Sequence, residues 1–389
     1  MRVLGVISGT SMDGLDVAVA DLTGAESGEL VMRPVGARSW PWPAALRSRL
    51  LALLPPASTT IGEVAMLDTL VGEEIARAAE SINHEVASGA TELVVSHGQT
   101  VFHWVEGQAA RGTLQLGQPA PIVEAMGVPV VSDVRARDIA AGGHGAPLAS
   151  TLDALALRTR PGVNAALNLG GIANVTVVPP TGAITAFDTG PASCLIDATV
   201  QEASGGAEMF DQDGARARRG SINQALLNRL LDEPFYALAP PKSTGRELFT
   251  GAYVRTALAS IGLTLHPDDL VATLTELTAR TIANALAPYD IQTVYASGGG
   301  THNPVLMEAL RRHLGATQLT TSDELGLPVD DKEAYLMTLL GYLSWHGLPG
   351  VLPGATGSSQ GHVLGRVSPV TAERSVPTSL AIRSEPHQR

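Results

Sequence analysis

The chain has 389 residues, of which 44% are hydrophobic, 16% charged and only 4% aromatic. Because a single core stops growing at about 250 to 300 residues, this length predicts two domains, and the composition excludes a disordered chain. A net charge of −12 without a basic stretch argues against a nucleic-acid-binding protein, since such proteins neutralise phosphates with lysine and arginine.

Short apolar runs bounded by Gly, Asp and Ser predict a series of strands in the first part of the chain. They cover residues 3–7, 15–22, 30–35, 92–96 and 129–132. Apolar positions at helical spacing predict helices over 63–86 and 122–126. The glycine-rich stretch 140–147 then predicts a boundary between two lobes.

The order of elements in the first part recurs after this boundary, which predicts a second lobe of the same kind. Strands are expected within 165–178, 183–187 and 293–296, and helices over 194–204, 222–231, 270–286 and 333–346. We therefore expect lobe I to comprise residues 1–138 with about 347–368, lobe II to comprise 139–346, and residues 369–389 to form a flexible tail.

At the first strand turn, glycines let backbone N–H groups approach phosphate oxygens, and hydroxyl and carboxylate side chains add ligands. The residues of this turn are Gly9, Thr10, Ser11, Met12, Asp13, Gly14, Leu15 and Asp16. Asp13 and Asp16 are the candidates for holding Mg²⁺, because this ion prefers oxygen ligands. An ordinary hairpin turn remains an alternative for this stretch taken alone.

Two further glycine stretches follow in the second half of the chain, one at a strand turn and one between a strand and a helix. Their candidate nucleotide contacts are Asn168, Gly170, Gly171, Gly298, Gly299, Gly300 and Asn303. Glycines let the backbone lie against a phosphate or a planar ligand, although a strand-to-helix loop also requires small residues. The paired turns predict a two-lobed phosphotransferase that holds a nucleotide between its lobes.

Asp188 follows a predicted strand and precedes a predicted helix, at the strand end where open α/β folds bind ligands, and it is our candidate general base. A helix N-cap is the alternative for this residue. Glu333 is expected to close a capping box with Asp330. Arg135 and Asp138 adjoin the glycine-rich boundary, where they face either the cleft between the lobes or solvent.

Cys194 is the single cysteine, which excludes an intramolecular disulfide and is compatible with a reducing compartment. His97 and His103 lack cysteines or acids at the spacing of zinc ligands, so we expect no metal site there. The chain opens on a predicted strand and has no apolar run near the ~18 to 20 residues of a membrane span. We therefore expect a cytoplasmic protein without a signal peptide.

Seven stretches of the sequence resemble the anhydro-N-acetylmuramic acid kinase family, which is part of the acetate and sugar kinase/Hsp70/actin superfamily. They are residues 9–16, 96–100, 141–148, 168–174, 188–191, 240–247 and 298–304. The resemblance runs from residue 6 to about residue 357 and implies an α/β protein with a duplicated actin-like (ribonuclease H-like) ATPase fold. In such a fold each of two lobes has a mixed β-sheet flanked by helices, and the active site lies in the cleft between the lobes.

The resemblance also implies the reaction. The family opens the 1,6-anhydro ring of 1,6-anhydro-N-acetylmuramic acid with water and transfers the γ-phosphoryl group of ATP to O6, in the recycling of peptidoglycan. Asp188 would deprotonate the water, Glu333 would orient the water or the sugar, and Arg135 would anchor the sugar or its lactyl carboxylate. The implied substrate contacts are Ser11, His97, Arg135, Asp138, Gly190, Pro191 and Glu333.

Further properties are implied by the same resemblance: Mg²⁺ as a cofactor beside ATP, a homodimer, and a cleft that closes on a small-molecule sugar. Three positions, in two of the motifs, depart from the family pattern. Ala192 and Ser193 stand where the family commonly has Gly-Asn, and His144 stands where it often has Gln. Because serine is shorter than asparagine, one phosphate or sugar contact is in question.

Two alternatives remain at this stage. One is another sugar or carboxylate kinase of the same superfamily, which would phosphorylate an ordinary hydroxyl group. The other is an actin- or Hsp70-like binding protein gated by nucleotide, which would hydrolyse ATP slowly without a sugar.

Overall fold

The computed structural model describes residues 1–9, 12–107, 109–245, 248–353 and 355–370. Its strands are β1 Arg2–Ser8, β2 Gly14–Thr23, β3 Val31–Pro41, β4 Leu93–Glu106, β5 Ala109–Leu116, β6 Val130–Ser132, β7 Val163–Leu169, β8 Ile172–Val178, β9 Thr185–Pro191, β10 Ile291–Ser297, β11 Gln318–Thr321 and β12 Arg366–Ser368. Its helices are α1 Ala44–Ala52, α2 Ile61–Ala87, α3 Pro119–Met126, α4 Ala136–Ala140, α5 Ala149–Leu157, α6 Cys194–Ser204, α7 Ala215–Arg219, α8 Gln224–Leu231, α9 Gly251–Ser260, α10 Pro267–Leu286, α11 Pro304–Leu314 and α12 Lys332–Trp345.

The strands form two sheets that share one order. The first sheet has the order β12-β6-β4-β1-β2-β3, and the second has the order β11-β10-β7-β8-β9. In each sheet three consecutive strands pair antiparallel, and two later strands add in parallel on the free side of the first of them. Helices flank both sheets. This repetition confirms the predicted duplicated actin-like (ribonuclease H-like) α/β fold.

The strand predicted over 92–96 is only the buried half of β4. The strand continues to Glu106 and forms a hairpin with β5. Its outer half carries Phe102 and Trp104, which are 49% and 45% exposed. Because both faces of the strand are exposed from Phe102 to Glu106, this part lacks the alternation of apolar and polar residues by which a strand is recognised. The hairpin is therefore not predicted by the sequence.

Helix α12 packs directly on the first sheet, and two glycines permit the close approach. A Cβ atom at Gly5 on β1 would lie 2.6 Å from the carbonyl oxygen of Ala334, and one at Gly341 would collide with the side chain of Val95 on β4. Residues 334–343 of the helix are all buried. The predicted division of the chain assigns α12 to lobe II, and this division stays a proposal. The packing of α12 on the first sheet favours placing the helix with lobe I instead.

The N-terminus of α12 is tied to the second sheet by a buried ion pair. Lys332 Nζ lies 2.7 Å from Asp153 Oδ1 on α5, and each side chain is 7% exposed. The Thr176 hydroxyl on β8 donates to the other Asp153 oxygen at 3.1 Å. Just before the helix, the Gly298 N–H donates to the Val329 carbonyl at 2.8 Å. The segment before α12 is therefore attached to the second sheet, while the helix itself packs on the first.

Near the end of the described chain, β12 joins the edge of the first sheet beside β6. The predicted tail over 369–389 lies outside the described residues from residue 371 onward. None of the helices described here has both the length and the apolar character that a membrane crossing requires.

Replacing Gly5 by alanine is expected to lower the free energy of unfolding by about 1–3 kcal/mol, because the new Cβ meets the backbone of α12 rather than a movable side chain. Gly62→Ala on α2 is the matched control, since the nearest atom to its Cβ would be 3.9 Å away and alanine favours the helix. Urea denaturation followed by circular dichroism measures both variants. Equal midpoints for Gly5→Ala and the wild type would contradict the proposed contact.

Asp153→Ala is expected to lower the free energy of unfolding by about 3–5 kcal/mol, because it leaves the Lys332 ammonium group buried without its partner. The double variant Lys332→Met, Asp153→Leu replaces both charges by apolar side chains and is expected to recover most of that loss. Thermal unfolding distinguishes the three proteins. If Asp153→Ala melted like the wild type, the ion pair would not be buried in solution.

Candidate active site

The turn between β1 and β2 adjoins the core of the first lobe. The side chains of Met12 and Leu15 are 1% and 0% exposed and pack in the cluster that includes α2. Gly14 lets β3 approach, because a Cβ there would lie 2.6 Å from the carbonyl oxygen of Trp40. Of these predicted nucleotide contacts, Met12 and Leu15 can therefore offer a ligand only their backbone.

The buried side chain of Gln99 ties this turn to β4. Its Nε2 donates to the Gly9 carbonyl at 3.4 Å, and its Oε1 lies 2.6 Å from the hydroxyl oxygen of Ser8. The sequence pattern did not single out Gln99, although it lies in a motif that carries the family resemblance. The predicted contacts Thr10 and Ser11 lie outside the described residues.

Several carboxylates lie close to this turn. Burial raises the pKa of Asp16, a 2.8 Å hydrogen bond from Ser39 opposes the rise, and the charges of Asp13 and Asp330 add to it. Burial, together with the charges of Asp16 and Asp330, also raises the pKa of Asp331. Over the described ranges no three acidic, histidine or cysteine side chains form a ready metal site. The surplus negative charge and the oxygen donors nevertheless fit Mg²⁺, whose charge would offset the repulsion.

Arg135 lies against His97 at the inner half of β4. Its Nε donates to His97 Nε2 at 2.7 Å, and its Nη1 donates to the Gly145 carbonyl at 2.6 Å. Burial lowers the pKa of Arg135, and the charge of Glu333 opposes this. Burial and the charge of Arg135 lower the pKa of His97 to about 3, so its ring is neutral. The structure thus brings Arg135, His97 and Glu333 into one neighbourhood.

Glu333 lies in the first turn of α12 but takes no part in a capping box. The N-cap is Asp331, whose side chain makes no capping hydrogen bond, and the Asp330 carboxylate instead binds His302 Nε2 at 2.8 Å. The expected capping box is therefore wrong. By surface area Glu333 is exposed, but many protein atoms lie around its carboxylate and reduce its hydration. This desolvation raises the pKa of Glu333, and the charge of Arg135 opposes the rise.

Asp138 is completely buried, and both of its carboxylate oxygens are used inside the protein. Oδ2 accepts the Gly145 N–H at 2.7 Å, and Oδ1 accepts the Thr356 hydroxyl at 2.8 Å. A Cβ at Gly143 would collide with this carboxylate, so the loop wraps closely around it. Asp138 thus supports the loop whose Gly145 carbonyl holds Arg135, and its contact with a substrate stays a prediction.

The glycine loop after β10 faces the turn after β7. A Cβ at Gly298 would lie 2.6 Å from Asn168 Oδ1, and one at Gly300 would lie 2.7 Å from the Cβ of Leu169. Both glycines are therefore required by contacts within the second lobe. A Cβ at Gly299 would meet no described atom within 4 Å, so this position leaves room for a ligand to approach the backbone.

Three other predicted contacts have partners within the second lobe. Asn303 Oδ1 accepts two backbone N–H groups of the first turn of α11, at 3.1 and 3.2 Å. Gly190 has a φ of 142°, and a Cβ there would lie 2.8 Å from the ring of Tyr236. The Pro191 carbonyl accepts the hydroxyl of Thr278 at 3.1 Å. These contacts within the protein account for the residue types at the three positions. The predicted contacts of the three residues with a ligand stay predictions.

Asp188 lies inside β9 rather than after its end, because the strand is longer than predicted. One carboxylate oxygen, Oδ2, accepts both the Ser243 hydroxyl and the Thr244 N–H at 2.8 Å. The next helix begins at Cys194 with Ser193 as its N-cap, so the alternative that Asp188 caps a helix is wrong. The two hydrogen bonds hold the carboxylate in one orientation.

The candidate residues thus form two groups. One group is the acids near the first turn with Glu333, Arg135 and His97. It is joined to the glycine loop of the second lobe, where the Gly298 N–H binds the segment before α12. The other group surrounds Asp188, and the described partners of that carboxylate lie in the second lobe.

The sequence of the whole chain decides its family. A family model described as anhydro-N-acetylmuramic acid kinase matches residues 1–370. The chain belongs to the anhydro-N-acetylmuramic acid kinase family.

Curated relatives match this member of the family over nearly its full length. It is similar to the anhydro-N-acetylmuramic acid kinase of Streptomyces avermitilis, with 55% identity over 95% of this chain and 94% of the relative. The relative of the same name from Streptomyces coelicolor is 52% identical, over 95% of this chain and 94% of the relative. The relative from Rhodococcus erythropolis is 48% identical, over 99% of this chain and 98% of the relative.

Among solved structures, the chain is similar to the activator of 2-hydroxyisocaproyl-CoA dehydratase from Clostridium difficile with bound ADPNP. That structure is 11% identical, the match covers 88% of this chain and 94% of that one, and the TM-score is 0.44. The family assignment depends on the sequence relatives and not on this distant likeness.

The departure from the family pattern at Ala192 and Ser193 leaves the local backbone contacts in place. The Ala192 N–H donates to the Gly171 carbonyl at 2.9 Å, and the Ser193 N–H donates to the Gly170 carbonyl at 3.0 Å. Because these donors belong to the backbone, they do not depend on the side chains at 192 and 193. The turn after β7 is therefore fixed without the asparagine that is common in the family.

Glu333→Gln is expected to raise the melting temperature at pH 8. A carboxyl group whose pKa is raised on folding binds its proton more tightly in the folded chain, so stability is lost as pH rises from the unfolded pKa through the folded one. Glutamine removes this loss, and at pH 4 the variant and the wild type are expected to melt more alike. Glu29→Gln, in an exposed loop, controls for the lost surface charge. A pH dependence identical to that of the wild type would contradict the raised pKa.

Proposed function

We propose that the chain is an ATP-dependent kinase that opens the 1,6-anhydro ring of 1,6-anhydro-N-acetylmuramic acid and phosphorylates O6. The products are N-acetylmuramic acid 6-phosphate and ADP, in the recycling of peptidoglycan. The observation that carries the proposal is the family match over residues 1–370. The arrangement of Asp188, Arg135 and Glu333 supports it.

Asp188 is the general base in this proposal. It takes a proton from water while the water oxygen bonds to the anomeric carbon; the bond from that carbon to O6 breaks, and O6 bonds to the γ-phosphorus as ADP leaves. The fixed Oδ2, held by Ser243 and Thr244, orients the carboxylate for this transfer. Orientation matters because placing the reactants supplies a large part of the rate enhancement in phosphoryl transfer.

Arg135 and Glu333 bind and orient the sugar. The Arg135 guanidinium is held by neutral acceptors, and in the described part of the chain no carboxylate lies within 4 Å of it, so its charge is available for the lactyl carboxylate. Glu333 lies near this charge and orients the water or a sugar hydroxyl group. Because the proposed division of the chain puts Asp188 and Arg135 in different lobes, closure of the cleft would bring base and sugar together and keep bulk water from ATP.

The nucleotide lies between the glycine loops in this proposal. The backbone of Gly9 and of the turn after β7 faces the phosphates, and the open position at Gly299 receives the nucleoside side of the ligand. Asp13 and Asp16 would hold Mg²⁺, and this ion would supply positive charge to offset that of the phosphates. We also propose a homodimer in the cytoplasm, on the family resemblance and on the single cysteine. Analytical ultracentrifugation tests the dimer.

Purified protein with ATP, Mg²⁺ and the anhydro sugar in ¹⁸O-water tests the reaction. The product is expected to carry ¹⁸O at the anomeric carbon, beyond the exchange measured when unlabelled product is incubated alone. Asp188→Asn is expected to lower kcat by about 10²- to 10⁴-fold, because the base is lost. Ser243→Ala, which removes one hydrogen bond to the same carboxylate, is the matched control and is expected to lose much less.

Three results would count against the proposal. ATP hydrolysis that is indifferent to the sugar would favour a nucleotide-gated binding protein. Phosphorylation of an ordinary sugar hydroxyl without ring opening would favour another kinase of the superfamily. Wild-type turnover in a folded Asp188→Asn protein would remove Asp188 from the role of base.

A further inference from the structure

His97 uses both ring nitrogens inside the protein and is 3% exposed. Its Nδ1 lies 2.9 Å from the carbonyl oxygen of Gly98, and its Nε2 lies 2.7 Å from Arg135 Nε. A carbonyl oxygen only accepts, so Nδ1 carries the proton; a guanidinium only donates, so Nε2 is the acceptor. One tautomer satisfies both contacts, and it is the neutral one.

Arg135 is held by two neutral acceptors, and no ion pair to it is found among the residues that the structure describes. Its Nε is bound to His97 and its Nη1 to the Gly145 carbonyl. Its Nη2 has no hydrogen-bond partner in the part of the chain that the structure describes, and Glu333 acts on it only through longer-range charge. The plane of the guanidinium is therefore fixed, and no described carboxylate is paired with it directly.

The choice of histidine at position 97 follows from these contacts. A carboxylate in its place would bind the guanidinium but would cancel the charge that an anionic ligand needs. A lysine or a protonated histidine would repel it. A neutral imidazole accepts the hydrogen bond and leaves the charge intact. Burial lowers the pKa of His97 to about 3, so the ring is neutral near pH 7.

We propose that His97 is a positioning residue, which aims the Arg135 guanidinium at a carboxylate of the substrate and does not touch the substrate itself. This inference rests on the proposed function for the identity of the substrate. It replaces the direct substrate contact that the family resemblance implies for His97, because a buried ring with both nitrogens engaged has no atom to offer the sugar.

Two substitutions separate the contacts of the ring. In His97→Gln the amide oxygen can reach the position of Nε2 and accept from Arg135, while the bond to Gly98 is lost. In His97→Asn the amide nitrogen occupies the position of Nδ1 and keeps the bond to Gly98, while Arg135 loses its acceptor. The two variants therefore form a matched pair that differs in the contact under test.

The proposal expects His97→Asn to raise KM for the anhydro-muramic sugar by about tenfold to a hundredfold, the range for a lost hydrogen bond to a charged group. KM for ATP is expected to stay within about threefold, and His97→Gln to keep KM for the sugar within about threefold of the wild type. With 1,6-anhydro-N-acetylglucosamine, which lacks the lactyl carboxylate, His97→Asn is expected to leave KM unchanged. In an Arg135→Lys background, His97→Asn is expected to add no further rise.

Other outcomes overturn the proposal. Equal increases in KM for both variants and both sugars would indicate a direct contact with the sugar ring. Equal losses of melting temperature without a change in KM would indicate a purely structural role.

Wild-type turnover with the muramic sugar tests the proposed function separately. If that turnover were absent, ¹⁵N NMR of Arg135 Nε would still decide the matter: the hydrogen bond of the Nε–H group, seen as slow exchange of its proton with solvent, should be retained in His97→Gln and lost in His97→Asn, and the opposite result would refute positioning.

Discussion

The ion pair between Lys332 and Asp153 determines where the N-terminus of α12 lies, and much of the site follows from that position. Both side chains are buried, so separating them would leave an uncompensated charge at a cost of several kcal/mol. Glu333 is the next residue along the chain, and Asp330 and Asp331 come just before. This ion pair therefore fixes the acids beside Asp16, while packing at Gly5 fixes the helix on the first sheet.

A second network, made of hydrogen bonds, holds the guanidinium group of Arg135. Asp138 holds the Gly145 N–H and the Thr356 hydroxyl, and the Gly145 carbonyl and His97 in turn hold Arg135. In this network the carboxylate lies one step away from the guanidinium and organises a loop instead of pairing with it. This arrangement suits the anion-binding role that we propose for Arg135, because such a role needs a rigid positive group that is not directly paired with a carboxylate.

The sequence predicts those features that are encoded locally. Apolar alternation and glycine turns gave the repeated order of strands, and the motif residues gave the family, because each of these signals lies within a few neighbouring positions. The exposed half of β4 was missed, since it has no buried face. The pairing of Lys332 with Asp153, and the roles of His97 and Asp138, depend on residues far apart in the chain, and no spacing in the sequence reports such contacts.

The order of five strands that the two sheets share has a consequence for how a ligand would be oriented. The turn after β1 and the turn after β7 occupy corresponding positions, but their chemistry has diverged: acids lie close to one, whereas the carbonyls of Gly170 and Gly171 in the other are engaged by backbone N–H groups. The two sheets are therefore alike in topology, but the groups that surround their corresponding turns differ. A ligand placed between the two turns would therefore meet carboxylates on one side and a turn closed by backbone hydrogen bonds on the other, so its two ends would not be interchangeable.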